Sequence, residues 1–201
     1  METQQHAAVG TSPLIRPVRS ADVHAVAAIH NSYVHDTLTC APESARTLAQ
    51  WHELVQELTT QRLPFLIAEQ HGAEQLDKEQ GGTVVGFAYA APWKPGPSYR
   101  HTAEASMYFA PDHVGHGLGP VLMPHLIQGC RQAEIHRLIG SAGDWGNGSV
   151  HRLDFLYRFG FDKVGVLRRV ARNRDRWIDI HLFQLDLDEQ DSWDTAEPRL
   201  V

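Results

Sequence analysis

The 201-residue sequence is poor in cysteine, with two, and has no basic excess: 18 Lys and Arg stand against 24 Asp and Glu, a net charge of −6. Cys40 and Cys130 can form at most one bridge and lie in no CxxC or Cys/His spacing, which excludes a disulfide scaffold and a zinc finger. Both read as small buried hydrophobes. The acidic balance removes any general attraction to phosphate polymers or anionic membranes, so neither nucleic acid nor a membrane surface is an expected partner. No apolar run approaches the roughly 18 residues of a membrane span, and the first twenty residues lack the apolar stretch of a signal peptide, so a cytoplasmic protein is expected. The thirteen histidines are scattered singly without an HExxH pair, and no metal is expected.

With 42% hydrophobic residues, the chain is long enough for one well-cored domain. Residues 1–11 are small and polar without periodicity and read as a disordered N-terminus. Residues 188–201 read as an acidic tail with only Trp193 and two terminal aliphatics to bury, leaving 12–187 as the domain. The hydrophobic period then alternates. Strands are expected at 14–18, 65–69, 83–91, 101–109, 137–142, 161–167 and 177–187. Helices are expected over 22–33 with Ser20 as cap, from Ser44 through Leu58 with Trp51 on the buried stripe, over 117–133, and over 150–159. The polar stretch 70–82 reads as a hairpin loop. This order is too mixed for a doubly wound parallel sheet and too helical for a sandwich, which leaves a mixed α/β domain: about seven mostly antiparallel strands flanked by about four helices.

The chemistry concentrates in AEASMYFAPDHVGHGLGPVLMPHLI, residues 103–127. A strand ends at Phe109, Pro111 breaks it, and Gly115, Gly117 and Gly119 alternate just before an apolar helical pattern. Such a turn can converge backbone N–H groups at a helix N-terminus, a cradle for phosphate in which a Cβ would hold the anion away. A plain glycine-rich turn between strand and helix fits the same pattern. Gly119 is followed by Pro120 rather than Lys-Ser/Thr, which excludes a Walker loop, and the turn comes too late in the chain for a Rossmann fingerprint. Glu104 shares one strand face with Ser106 and Tyr108, while Ala103, Ala105, Met107 and Phe109 form the apolar face. A carboxylate in such a strand is either structural or used.

The GHGLG turn, the segments APWKPGPSYRHTAEASMY, YRFGF and LRRVARNRDRWIDIHLFQLDL, and the element order over residues 13–187 resemble the GCN5-related N-acetyltransferases, in particular the phosphinothricin and methionine sulfoximine group. The resemblance implies acetyl-CoA as co-substrate, its diphosphate held by the amides of Val114, Gly115, His116, Gly117, Leu118 and Gly119, with Tyr108, Phe109 and Asn147 beside the pantetheine arm. It implies Glu104 as general base in a direct transfer to the amine of a small amino-acid-like substrate. Tyr33, Trp93, Tyr99 and Arg100 are the expected acceptor residues, and a homodimer, meeting through the helix around Trp51 or the final strands, is the expected assembly. Backbone N–H groups where the Tyr108 strand splays from its neighbour are expected to stabilise the oxyanion.

Several residues depart from the family pattern. Val114 stands in place of Gln or Arg. Leu156 occupies the position of a His or Tyr acid, and Gly96 and His101 replace a common Arg and Trp. Arg168, Arg169, Arg172, Arg174 and Arg176 gather guanidinium groups near the last hairpin, fit either for an anionic ligand or for a solvated surface. Pro124 is expected to kink the helix that follows the glycine turn. Val114 and Leu156 also fit an acyl-CoA-binding sensor of the same fold, and Gly96 fits a larger acyl group or acceptor.

Overall fold

The computed structural model describes residues 12–35, 45–71, 82–144, 150–173 and 176–188. Within it a seven-stranded sheet runs in the order β1-β2-β3-β4-β5-β7-β6, formed by β1 (Leu14–Pro17), β2 (Phe65–Gln70), β3 (Thr83–Pro92), β4 (Thr102–Phe109), β5 (Arg137–Asp144), β6 (Asp162–Asn173) and β7 (Arg176–Asp186). Every neighbouring pair is antiparallel except β4 and β5. Helices α1 (Val23–His35) and α2 (Leu48–Thr60) cover one face, while α3 (Leu118–Gln132) and the 3-10 helix Val150–Phe159 cover the other.

The covered faces explain the hydrophobic pattern. Trp51 from α2 is fully buried and meets Phe65, Phe87 and Tyr89 edge-on, and His30 from α1 packs edge-on between Trp51 and Tyr108. On the opposite side Leu122, Leu126 and Cys130 recur at four-residue spacing in α3 and are fully buried. Burial alone pushes the Cys130 thiol up to about 12, so it serves as a small hydrophobe. Trp51 itself is spent on this core, and the exposed apolar side chains include Leu48 on α2 and Val164, Val170 and Trp177 on the last hairpin.

Arg16 in β1 reaches both the start of α1 and the end of β2. Its guanidinium donates two bonds to the Asp22 carboxylate, at 2.7 and 2.8 Å, and one to Glu69 at 2.5 Å, with all three side chains nearly buried. Burial pushes both carboxyls up, but the Arg16 bonds and charge, with the main-chain N–H of Arg19 on Asp22 and of Gly82 on Glu69, hold both below the ordinary carboxylate range. The Arg16 guanidinium is raised in turn.

Local endings differ from expectation where a nearby side chain caps better. Ser20 lies inside a short 3-10 turn, Ser20–Asp22, and the Asp22 carboxylate accepts from the Arg19 N–H at 2.6 Å. Helix α2 begins at Leu48 rather than at Ser44, with Thr47 as its cap: the Thr47 hydroxyl accepts from Gln50 N–H at 3.2 Å, and Gln50 Oε1 accepts from Thr47 N–H at 2.8 Å. The 150–159 helix is 3-10 rather than α, and α3 runs through Pro124 without ending there. Strand β6 extends to Asn173, six residues beyond the expected end, because irregularities at 163–165 and 167–171 absorb a broken alternation. Ser44, Cys40, Asn147, Arg174, Trp193, the 1–11 terminus, most of the 70–82 loop and nearly all of the tail lie outside the described residues.

Candidate active site

Strands β4 and β5 pair in parallel from Thr102 with Arg137 to Ala105 with Gly140, and there the ladder stops. Yet β4 continues to Phe109 against β3, and β5 continues to Asp144 against β7. The two central strands therefore splay, opening a V-shaped cleft in the middle of the sheet. Strand alternation decides which main-chain groups face it. Ala110 N–H donates to Val85 and Trp93 N–H to Thr102, so the even-numbered residues of β4 turn their N–H and C=O to β3 and the odd-numbered ones face β5. Beyond the last pair those are Met107 and Phe109. The Phe109 groups are taken, since Tyr33 Oη accepts from its N–H at 3.0 Å and donates to its C=O at 2.8 Å. Met107 is left turned toward the gap. The expected donors lay in this strand without a named residue; Tyr108 is not among them, since its main chain faces β3 and its ring stacks on Phe87.

The glycine turn follows at the C-terminal end of β4. Gly115 and Gly117 have φ of +85° and +78°, the left-handed region, and a Cβ on either would meet nothing within 4 Å. Gly117 is the N-cap of α3. The amides of Val114 and His116 close local turns onto Pro111 and His113, so neither is available as a donor. That leaves the N–H groups of Gly115, Gly117, Leu118 and Gly119 for an anion at the positive end of the helix; Pro120 supplies none. Gly119 is glycine for a different reason: a Cβ there would lie 3.1 Å from Phe155 Cζ, so it lets α3 approach the 3-10 helix. A side chain that sequence reasoning missed steadies the turn: His113 Nε2 bonds Gln70 Oε1 at 2.9 Å, tying it to the end of β2.

Glu104 projects from the α1/α2 face, three residues before the cleft-facing Met107, and is half-buried. Ser141 Oγ donates to Glu104 Oε1 at 2.5 Å. Nothing in the sequence marked Ser141, because the pairing spans 37 positions and depends on the β4–β5 register.

At the other end of the β3–β4 hairpin Trp93 continues the ladder opposite Thr102, which puts it on the Glu104 face. Lys94 Nζ lies 5.6 Å from the Trp93 ring centre and 5.8 Å from that of Tyr99. The Arg100 guanidinium turns back onto the Pro97 carbonyl at 3.3 Å, so Lys94 is the cation set among the aromatics. Tyr33 stands apart from the expected acceptor rim, its hydroxyl engaged with β4. Arg168, Arg169, Arg172 and Arg176 are exposed on the β6–β7 hairpin, whose tip extends past the end of β5, and Arg172 lies over Trp177 at 5.6 Å.

A splayed parallel pair, a glycine-rich amide turn leading into a helix, and a carboxylate across the cleft form one arrangement, and the sequence profile described as the acetyltransferase (GNAT) family matches residues 26–161. The chain belongs to the acetyltransferase (GNAT) family. Its enzyme class is accordingly N-acetyltransferase. It is 32% identical over 178 residues to a phosphinothricin N-acetyltransferase of Alcaligenes faecalis, covering 89% of this chain and 84% of that protein. It is 31% identical to the L-amino acid N-acyltransferase MnaT of Escherichia coli K12, covering 88% and 95%. The solved structure of yncA, an acetyltransferase from Salmonella typhimurium with its cofactor acetyl-CoA, superposes with a TM-score of 0.77 at 26% identity, covering 92% of this chain and 99% of that one. Among the described residues of this GNAT chain no three His, Cys, Asp or Glu side chains gather as a metal cluster, and no helix is long and apolar enough to cross a membrane.

Proposed function

We propose that this acetyltransferase moves an acetyl group from acetyl-CoA to the amine of a small amino-acid-like acceptor by direct attack in a ternary complex. The observation that carries the reading is the interruption of the β4–β5 ladder one residue beyond Glu104, which opens a passage through the sheet between the amide turn and the carboxylate. The amides of Gly115, Gly117, Leu118 and Gly119 bind the diphosphate of acetyl-CoA. They lie at the end of β4 from which α3 departs, so the pantetheine arm can run into the cleft along Met107. In-plane N–H groups of a strand edge bind an extended amide chain as a neighbouring strand would.

Within the cleft the Met107 N–H faces the acyl oxygen and stabilises the charge that develops on it, a role that backbone donors fill well because they are held in place before the reaction. On the other face Glu104 takes the proton from the attacking amine. The neutral form of the amine is the nucleophile, and as its nitrogen bonds to the acyl carbon it sheds a proton that a base must accept. Trp93 and Tyr99 supply flat walls for the acceptor. Lys94 between them offers a positive charge to an acceptor carboxylate, in place of the arginine that Gly96 replaces. The relatives named for phosphinothricin and for L-amino acids support an acceptor carrying both groups. A cytoplasmic homodimer belongs to the same reading, with the exposed apolar side chains of the β6–β7 hairpin as its contact.

Thiol release from acetyl-CoA against phosphinothricin, methionine sulfoximine, methionine sulfone and ordinary amino acids tests the assignment. Turnover with at least one amino acid is expected, and Glu104→Gln should lower kcat by about 100-fold or more with little change in acetyl-CoA affinity. An unchanged rate in that variant removes Glu104 from the chemistry.

A further inference from the structure

The family's acid position offers no proton for the leaving thiolate. Leu156 is 6% exposed and belongs to the core, and the neighbouring Tyr157 ring packs against Phe183, 6.0 Å away, on the face opposite Glu104. We propose that Ser141 fills this gap, passing a proton from Glu104 to the departing CoA sulfur. The proposal rests on the acetyl-transfer reading above.

Three features place the hydroxyl. The last rung of the β4–β5 ladder joins Ala105 to Gly140, and Ser141 is the next residue of β5, so it stands at the apex of the cleft. Leu187 N–H donates to His136 C=O, which turns the even-numbered residues of β5 toward β7 and the main chain of Ser141 toward β4. Met107 and Ser141 therefore confront one another where the next ladder bond would have formed, and a thioester entering the passage comes between them. The Ser141 side chain lies on the Glu104 face, is exposed, and already donates to Glu104 Oε1 at 2.5 Å.

A hydroxyl can accept and donate at once, and that is what the relay requires. As the amine nitrogen bonds to the acyl carbon, its proton passes to Glu104. When the carbon–sulfur bond breaks, protonated Glu104 returns that proton to Ser141 Oγ while the Ser141 proton moves to sulfur. One proton has then travelled from amine to thiol, and both side chains are restored. No other reactant is needed. Ser141 works only with its carboxylate partner, since an isolated alcohol is too weak an acid to protonate a thiolate.

The test uses the full-length enzyme, Ser141→Ala and Ser141→Thr, with two donors: acetyl-CoA and an acetyl thioester of an arylthiol, whose thiolate leaves without a proton. Ser141→Ala should lower kcat with acetyl-CoA by about 10-fold, below the usual range for acid–base groups because a CoA thiolate is a fair leaving group. Ser141→Thr should recover most of that rate, KM for acetyl-CoA should hold, and kcat/KM for the arylthiol donor should be the same in Ser141→Ala as in the parent. Full activity of Ser141→Ala on acetyl-CoA overturns the relay. An equal loss with both donors also overturns it, since the hydroxyl would then only orient Glu104. A parent enzyme that acetylates no amine refutes the acetyl-transfer reading itself, a result distinct from either.

Discussion

Replacing Gly117 with alanine separates the two things a glycine can do at the head of a helix. The residue caps α3 at φ +78° and ψ 14°, and a Cβ built there meets no heavy atom within 4 Å. Within the protein the cost is conformational alone. Holding an L-residue in the left-handed region costs about 1–2 kcal/mol, and the stiffer unfolded chain of alanine returns about 0.4–1 kcal/mol, for a net loss of about 1 kcal/mol. For a domain of this size that shifts Tm by about 2–4 °C. The empty space in front of the Cβ is where the diphosphate is proposed to lie, so a methyl there parts the anion from one or two amides. Each such charge-assisted bond is worth about 1.5–3 kcal/mol, or roughly a 10- to 100-fold rise in the Kd of acetyl-CoA. Thermal melting and titration calorimetry on the same samples read both effects, with Gly165→Ala as control, since that glycine also faces open space but without a positive φ. A melting point lowered by more than about 10 °C would show that the methyl strikes protein. An unchanged Kd would refute the placement of the diphosphate on this turn.

Arg16→Met leaves the Asp22 and Glu69 carboxylates nearly buried without their cation, and should cost about 3–5 kcal/mol in urea unfolding at pH 7. Both carboxyls titrate below their unfolded values in the parent, so the stability they give is complete above about pH 4 and drains as pH falls through the folded values; the gap between variant and parent should narrow below about pH 4. The Cys130 thiol, fully buried and pushed up to about 12, should resist an aromatic disulfide reagent at pH 8 and react only in denaturant, followed by mass spectrometry of its peptide. Tyr33→Phe frees the Phe109 N–H and C=O and should lower stability by about 1 kcal/mol while leaving the acceptor KM unchanged. A raised acceptor KM at full stability would return the Tyr33 hydroxyl to the acceptor site.

The features legible in the sequence are those set by neighbours along the chain. Period-two alternation put Glu104, Ser106 and Tyr108 on one face of β4, and the three glycines before an apolar helix marked an amide turn. In the structure two of those glycines answer to backbone conformation and the third to the approach of Phe155, a distinction that no local pattern carries. Helix starts shifted where the Asp22 carboxylate, rather than Ser20, closes the first turn and where Thr47 caps α2. The Arg16 network and the Tyr33 clasp on Phe109 join residues 53 and 76 positions apart.

Composition, periodicity and turn chemistry were enough to settle the order of the elements, because each depends on residues within a few positions of one another. Where β5 parts from β4 is decided by the packing of seven strands and the helices on both faces. That single tertiary choice opens the cleft, turns Met107 toward it, and brings Ser141 onto Glu104.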